Sequence, residues 1–170
     1  MKSILTSFLI IAALTAFGQQ DKSQRPSPPA SIKVTLKSGA TVSIDYSQPS
    51  VKGRTIGKDL EPMDGKIWRT GANEATVFET DKDITVQGKT LPAGKYAFFT
   101  IVNGDEWTLI FNKTWNQWGA FNHKEADDAL RVTAKSRKAA EFSEKLTFAF
   151  AEGGKVSLNW GDIEMDFWVK

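Results

Sequence analysis

The chain contains no cysteine, so disulfides, thiolate metal ligands and thiol redox chemistry are excluded. It has a single histidine, His123. Nucleophilic triads that need a histidine base must therefore use that residue, and a zinc site of three or four converging ligands lacks its usual donors. A charge excess is missing too, since 22 Lys+Arg face 20 Asp+Glu. Nucleic-acid binders carry a concentrated basic surplus that displaces counterions, so nucleic acid is not an expected partner. The basic run Lys135-Ser136-Arg137-Lys138 reads as a solvated turn. No apolar run reaches the roughly 20 residues of a bilayer-spanning helix.

The first residues read as an address. Met1-Lys2-Ser3 is a short positive start, and residues 4–17 are apolar apart from Ser and Thr. Ala16 and Gly18 are small residues at the two positions that a signal peptidase reads. Residues 1–18 are therefore expected to be a signal peptide cut between Gly18 and Gln19. The protein is then exported, periplasmic or extracellular, with no transmembrane anchor after cleavage. Lipidation of that end would need a cysteine. Residues 19–30 (QQDKSQRPSPPA) read as a proline-rich spacer, and residues 31–170 as one β-rich domain. About 150 residues can bury roughly 68–70% of their unfolded surface without a staple.

Period-two alternation dominates that domain. Ile32, Val34 and Leu36 share one face, and Val42, Ile44 and Tyr46 follow after a Ser38-Gly39 turn. Leu146, Phe148 and Phe150 alternate likewise, then Val156, Leu158 and Trp160 after Gly153-Gly154, and Ile163, Met165, Phe167 and Val169 after a turn expected at Gly161-Asp162. Residues 96–101 and 107–111 are apolar on both faces, as central strands of a covered sheet are. The expected fold is all-β: a mostly antiparallel β-sandwich or flattened barrel of about ten strands. One short helix is expected near residues 123–129, with Asn122 as its cap and Glu125 three residues on. Phe98, Leu109, Phe148, Leu158 and Phe167 are expected in the core.

Most short motifs carry no chemistry. Gly88-Lys89-Thr90 lacks the upstream glycine of a phosphate loop, because Asp83 stands there, and reads as a hairpin turn. His123, Glu125, Asp127 and Asp128 read as a solvated helix start, acidic as the dipole favours, with no metal and no cofactor. Residues 65–80 (GKIWRTGANEATVFET) are richer. Trp68, Arg69, Asn73 and Glu74 lie close together, with Gly71 letting the backbone turn, and Arg54 offers a second guanidinium upstream. Arg supplies a planar five-donor fork; Asn and Glu supply acceptors. Arg69, Asn73 and Glu74 are expected within hydrogen-bonding reach of one another, beside a wall formed by Trp68 or Trp118. They make either a pocket for a small anionic or carbohydrate ligand or an internal polar lock. Trp115, Gln117 and Trp118 follow a central strand, and the two tryptophans are either a stacking platform for sugar rings or plugs over the end of the fold.

Several strings carry a family resemblance: residues 49–54 (PSVKGR), 65–80, 91–101 (LPAGKYAFFTI), 106–121 (EWTLIFNKTWNQWGAF) and Leu130-Arg131-Val132. With them the chain resembles domain of unknown function 2911, a family of secreted or envelope-associated bacterial proteins with no established activity. The resemblance implies a signature at Arg54, Trp68, Arg69, Gly71, Asn73, Glu74, Thr76, Gln117, Trp118 and Gly119. This chain departs from that pattern at Gln48, where a basic residue is usual, at Ile56-Gly57, where an aromatic is, and at Met63-Asp64, Phe121 and His123, where tyrosines are.

Three functions stay open. The preferred one is an exported ligand-binding or structural module of the bacterial cell envelope, not an enzyme. The second is a cofactor-free, hydrolase-like enzyme with Glu74 as acid–base and Arg69 or Arg54 stabilising an anion. The third is a protein–protein adaptor, which would expose an apolar patch or a free strand edge.

Overall fold

The structure, a computed structural model, describes residues 21–170. The expected signal peptide and its cut at Gly18/Gln19 lie outside the described residues. Ten strands form: β1 (Pro29–Thr35), β2 (Thr41–Ser47), β3 (Ile67–Trp68), β4 (Thr76–Thr80), β5 (Ile84–Val86), β6 (Lys89–Leu91), β7 (Gly94–Asn103), β8 (Glu106–Asn112), β9 (Asp128–Ala151) and β10 (Lys155–Trp168). Seven of them make one antiparallel path in the order β1-β2-β4-β7-β8-β9-β10. β3 adds to β7, and β5 and β6 form a separate hairpin. The fold is all-β, as the alternation implies.

The turns form as their residues dictate. Gln87 and Gly88 both adopt positive φ (49° and 79°) between the paired Val86 and Lys89, the conformation a two-residue hairpin needs. Two turns expected from the sequence do not exist, however. The run 135–138 lies inside β9, a strand of 24 residues. Its first part pairs with β8 up to Lys135, and from Ser136 onward it pairs with β10. The basic side chains are thus tolerated as the solvent face of a strand. Gly161-Asp162 is likewise no turn but an irregularity within β10, where the register against β9 shifts on both sides of Gly161. The extra residues lie on β9: the two-residue steps Asn159 to Gly161 and Gly161 to Ile163 are matched by four and five residues of β9, and such bulging bends the pair without ending it.

That bend curls the sheet back on itself. Leu146 donates to the Pro49 carbonyl at 3.0 Å and Val51 to the Glu144 carbonyl at 2.8 Å. β9 is thereby stitched to the chain leaving β2. Inside the curl, Phe78, Phe98, Phe111, Phe148 and Phe167 are buried together with Leu109 and Leu158. The Phe98 and Phe167 rings stack 5.7 Å apart. A smaller outer cluster of Ala75, Ala97, Phe99 and Ile110 covers the other face of β7 and β8.

The expected helix is also corrected. Residues Glu125–Asp127 make a single 3-10 turn capped by Lys124, with no side-chain cap bond. Residues 124–126 are solvated as expected, and the turn is fastened at its end by Asp128. The Asp128 carboxylate, with only 6% of its side chain exposed, accepts from Asn112 Nδ2 at 2.7 Å, His123 Nε2 at 3.0 Å and Arg131 Nε at 2.6 Å. The His123 ring packs edge-on against Phe99, so this loop forms the lid over the outer cluster. Among the described residues no helix is long and apolar enough to cross a membrane.

Candidate functional site

The segment between β3 and β4 is a tight loop held by its own backbone. Trp68 is buried and its Nε1 donates to the Gly71 carbonyl at 3.1 Å. Thr76 Oγ1 donates to the Thr70 carbonyl at 2.9 Å, and the Thr70 and Thr100 hydroxyls meet at 3.1 Å. Thr70 and Asn73 both take positive φ, 52° and 58°, which is unusual for a β-branched residue. Gly71 is required by space: a Cβ there would lie 2.9 Å from Thr76 Oγ1 and 3.1 Å from the Ser47 carbonyl.

This loop aims Arg69 into a cleft of about 340 Å³, whose lining includes Arg54, Trp68, Asn73, Trp118 and Trp160. Five of the eight residues singled out from the sequence therefore share one cavity. Arg69 Nη1 donates to the Asn73 carbonyl at 2.8 Å. Arg54 is held the same way, by the Val51 and Ser50 carbonyls at 3.0 and 2.6 Å. Neither has a carboxylate partner among the described residues, whereas Arg25, Arg131 and Arg137 all do. Main-chain carbonyls fix the two guanidinium groups without neutralising them. Glu61 also borders the cleft, but its carboxylate accepts from the Met63 amide at 2.8 Å. The Trp160 indole is anchored by donating to the Glu61 carbonyl at 2.8 Å.

The expected Arg69–Glu74 pair does not form. Glu74 points into a neighbouring recess of about 240 Å³, with Trp115 and Gln117. Its carboxylate accepts from Arg25 Nη1 at 2.8 and 3.0 Å and lies 3.0 Å from Lys22 Nζ. Burial works to raise its pKa, but its own backbone amide and the two cations outweigh this and hold it at about 2. Ionised so firmly, Glu74 does not match the pKa near the working pH that a general acid–base needs. Asn73 is spent similarly, its Nδ2 donating to the Ser27 carbonyl at 3.0 Å.

Residues 113–121 return beside this loop. Trp118 pairs through its backbone with Glu74, and Ala75 donates to the Gln117 carbonyl at 3.0 Å. Gln117 is buried; its Nε2 donates to the Thr114 carbonyl, while its Oε1 has no partner. The two tryptophans are not plugs. Trp115 is 39% and Trp118 53% exposed, and each faces a cation: Lys95 at 5.2 Å from the Trp115 ring and Arg25 at 6.0 Å from the Trp118 ring. Trp160 and the residues 22–27 belong to the site although the sequence did not single them out. Trp160 reads as a core residue of its strand, and Arg25 lies in a segment without alternation.

Neither the curated proteins nor the solved structures contain a match to this chain. A family model described as protein of unknown function (DUF2911) matches residues 27–169, from the Ser27 contact of Asn73 to the buried Val169, and the chain belongs to that family.

Proposed function

We propose that this domain is an exported ligand-binding module of the bacterial envelope that holds a small anion against a tryptophan-lined wall. The observation that carries the reading is the pair Arg54 and Arg69, the two described arginines without a carboxylate partner, brought to one cleft. Guanidinium groups match carboxylate and phosphate oxygens geometrically. Groups held in place by backbone carbonyls lose little freedom when the ligand arrives. Trp118, half exposed at the rim, offers a flat face for a ring-shaped body, so an acidic sugar suits the site as well as a simple carboxylate or phosphate ester. The position of Glu74, clasped by two cations in the next recess, speaks for binding over hydrolysis.

A thermal-shift panel of uronic acids, neutral sugars, carboxylates and phosphate esters tests this. A ligand at about 100 times its Kd stabilises by about 2.7 kcal/mol, which raises Tm by roughly 5–10 °C at this size. The expected result is a shift with acidic members alone, lost in Arg54→Ala and Arg69→Ala. No shift with any anion, or an equal shift in both variants, overturns the proposal.

A further inference from the structure

The chain ahead of β1 folds onto the same loop that shapes the two-arginine cleft. Lys22–Gln24 form a 3-10 turn and residues 25–27 are bends, so individual contacts seat the segment and no strand ladder does. Arg25 donates from Nη1 to both oxygens of Glu74, at 3.0 and 2.8 Å, and lies 6.0 Å from the Trp118 ring centroid. The Ser27 carbonyl accepts from Asn73 Nδ2 at 3.0 Å, and the Pro28 carbonyl from the Gln48 amide at 2.8 Å. Ser27 also borders the cleft itself, together with Asn73, Trp118 and Arg69.

Asn73 is the junction of these contacts. Its carbonyl accepts from Arg69 Nη1 at 2.8 Å and from the Gly119 amide at 3.1 Å, while its side chain is tied to Ser27. Asn73 keeps a positive φ of 58°, which a residue with a side chain holds only where its surroundings over-determine it. The bond to Ser27 is one of those restraints. Trp118 is joined to Glu74 through its backbone and faces Arg25 through its ring. Were the segment to lift away, Asn73 would lose its side-chain partner, Trp118 its ring neighbour, and the cleft its Ser27 wall.

The two cations on Glu74 do not contribute alike. The Arg25 side chain is 22% exposed and reaches both carboxylate oxygens, whereas that of Lys22 is 60% exposed. A solvated lysine pair is screened and adds little, while a guanidinium held against a carboxylate is among the stronger contacts.

We infer that residues 22–28 are a strap that regulates the two-arginine cleft by preforming it. Arg25 is its positioning residue, acting through Asn73 and Trp118 without touching the anion. The inference rests on the anion-binding reading for its ligand, though not for its mechanics. A seated strap leaves less to be ordered when the anion arrives. With the strap released, the competent cleft becomes a fraction of the population, and the apparent Kd rises by the inverse of that fraction.

Two readouts test this, one of them free of ligand. Hydrogen exchange resolved by NMR follows the Gln48 amide, seated on Pro28, and the Gly119 amide, seated on Asn73. Arg25→Ala should speed both about tenfold or more, and Lys22→Ala should barely change them. Unaltered protection in β7 and β8 shows that the domain stays folded. Glucuronate and inorganic phosphate are then titrated into the same proteins by calorimetry. Their Kd should rise about tenfold in Arg25→Ala, and Arg25→Lys, which keeps the charge without the fork, should recover part of the loss. Glu74→Gln weakens the clasp from the other side, should act in the same direction in both readouts, and serves if Arg25→Ala does not fold. Unchanged exchange at Gly119, or anion binding that is equal or tighter with the strap released, overturns the inference. If neither anion binds the wild type, the anion-binding reading alone fails, and the strap stands or falls on the Gly119 amide.

Discussion

Arg69 and Asn73 are joined by a 2.8 Å hydrogen bond from the guanidinium Nη1 to the backbone carbonyl, and Glu74, the next residue, turns away from both. Successive residues of one loop thereby serve different cavities. The positive φ of Asn73 reverses the chain between them. One side keeps a cation without a carboxylate partner; the other keeps an anion clasped by Arg25 and Lys22. A direct Arg69–Glu74 pair would have cancelled both.

Arg69→Ala should therefore be cheap for the fold. It removes one bond to a backbone carbonyl and strands no carboxylate, so a loss of about 1 kcal/mol is expected. Urea denaturation measures it. A loss near the roughly 3–5 kcal/mol of a broken buried ion pair would mean that Arg69 neutralises an acid after all.

Glu74 should make stability depend on pH at the acid end. Its folded pKa of about 2 lies below the ordinary 4.5. A depressed carboxylate contributes stability that is fully present above the unfolded value and is lost as pH falls toward the folded one. The difference in urea midpoint between wild type and Glu74→Gln should be constant above about pH 5 and shrink between about pH 4.5 and 2. A difference that stays flat down to pH 3 would refute the clasp in solution.

Phe98, Leu109, Phe148, Leu158 and Phe167 are all 0–2% exposed. Truncating any of them to alanine should cost about 2–5 kcal/mol, measured as above. Two neutral results would place the strands in another register.

These core positions were legible because alternation reports directly on which face of a strand is buried. Phe148 and Phe167 needed nothing beyond period two, whereas Phe98 lies in a run that is apolar on both faces and is buried on either side. The tight loop at Trp68, Arg69 and Gly71 was legible because a glycine between polar residues marks a turn that gathers side chains. Three features were not. The run 135–138 reads as a turn because charge and strand pairing look alike in a residue string. Continuity of β9 depends on β10 taking over as partner where β8 ends, a contact nearly 30 residues away. The partner of Glu74 was missed for a similar reason: Arg25 lies 49 residues away, in a segment whose composition resembles a linker. Local pattern shows what a residue offers, while long-range topology decides which neighbour accepts it.

The loop of Asp128 allows a sharper test of the lid. This buried carboxylate collects hydrogen bonds from Asn112, His123 and Arg131. Asp128→Ala leaves the arginine with only the exposed Glu125, 3.5 Å away. With Arg131 itself partly solvated, a cost of roughly 2–3 kcal/mol is expected. Asp128→Asn keeps one acceptor and should cost less. A neutral Asp128→Ala would show that the lid is held by Phe99 and Ala120 alone.

Adjacent glycines at the end of β9 give the last prediction. Gly153 and Gly154 both have positive φ, 75° and 80°, so each alanine substitution carries the left-handed penalty of about 1–2 kcal/mol. Their surroundings differ. A Cβ on Gly153 meets nothing within 4 Å, whereas one on Gly154 would lie 1.9 Å from the Val169 carbonyl oxygen. That backbone cannot simply yield. Val169 donates to the Gly154 carbonyl at 2.8 Å, and Thr85 and Lys170 exchange bonds of 2.7 and 2.9 Å that tie the chain end to β5. To admit the methyl group, the end of the chain must leave both partners and expose Val169, which is fully buried. Gly154→Ala should thus cost at least about 2 kcal/mol more than Gly153→Ala, the scale of burying or losing one aliphatic side chain. Urea denaturation of the two variants side by side measures the difference. Equal losses would mean that the chain end does not pack against the β9–β10 turn in solution.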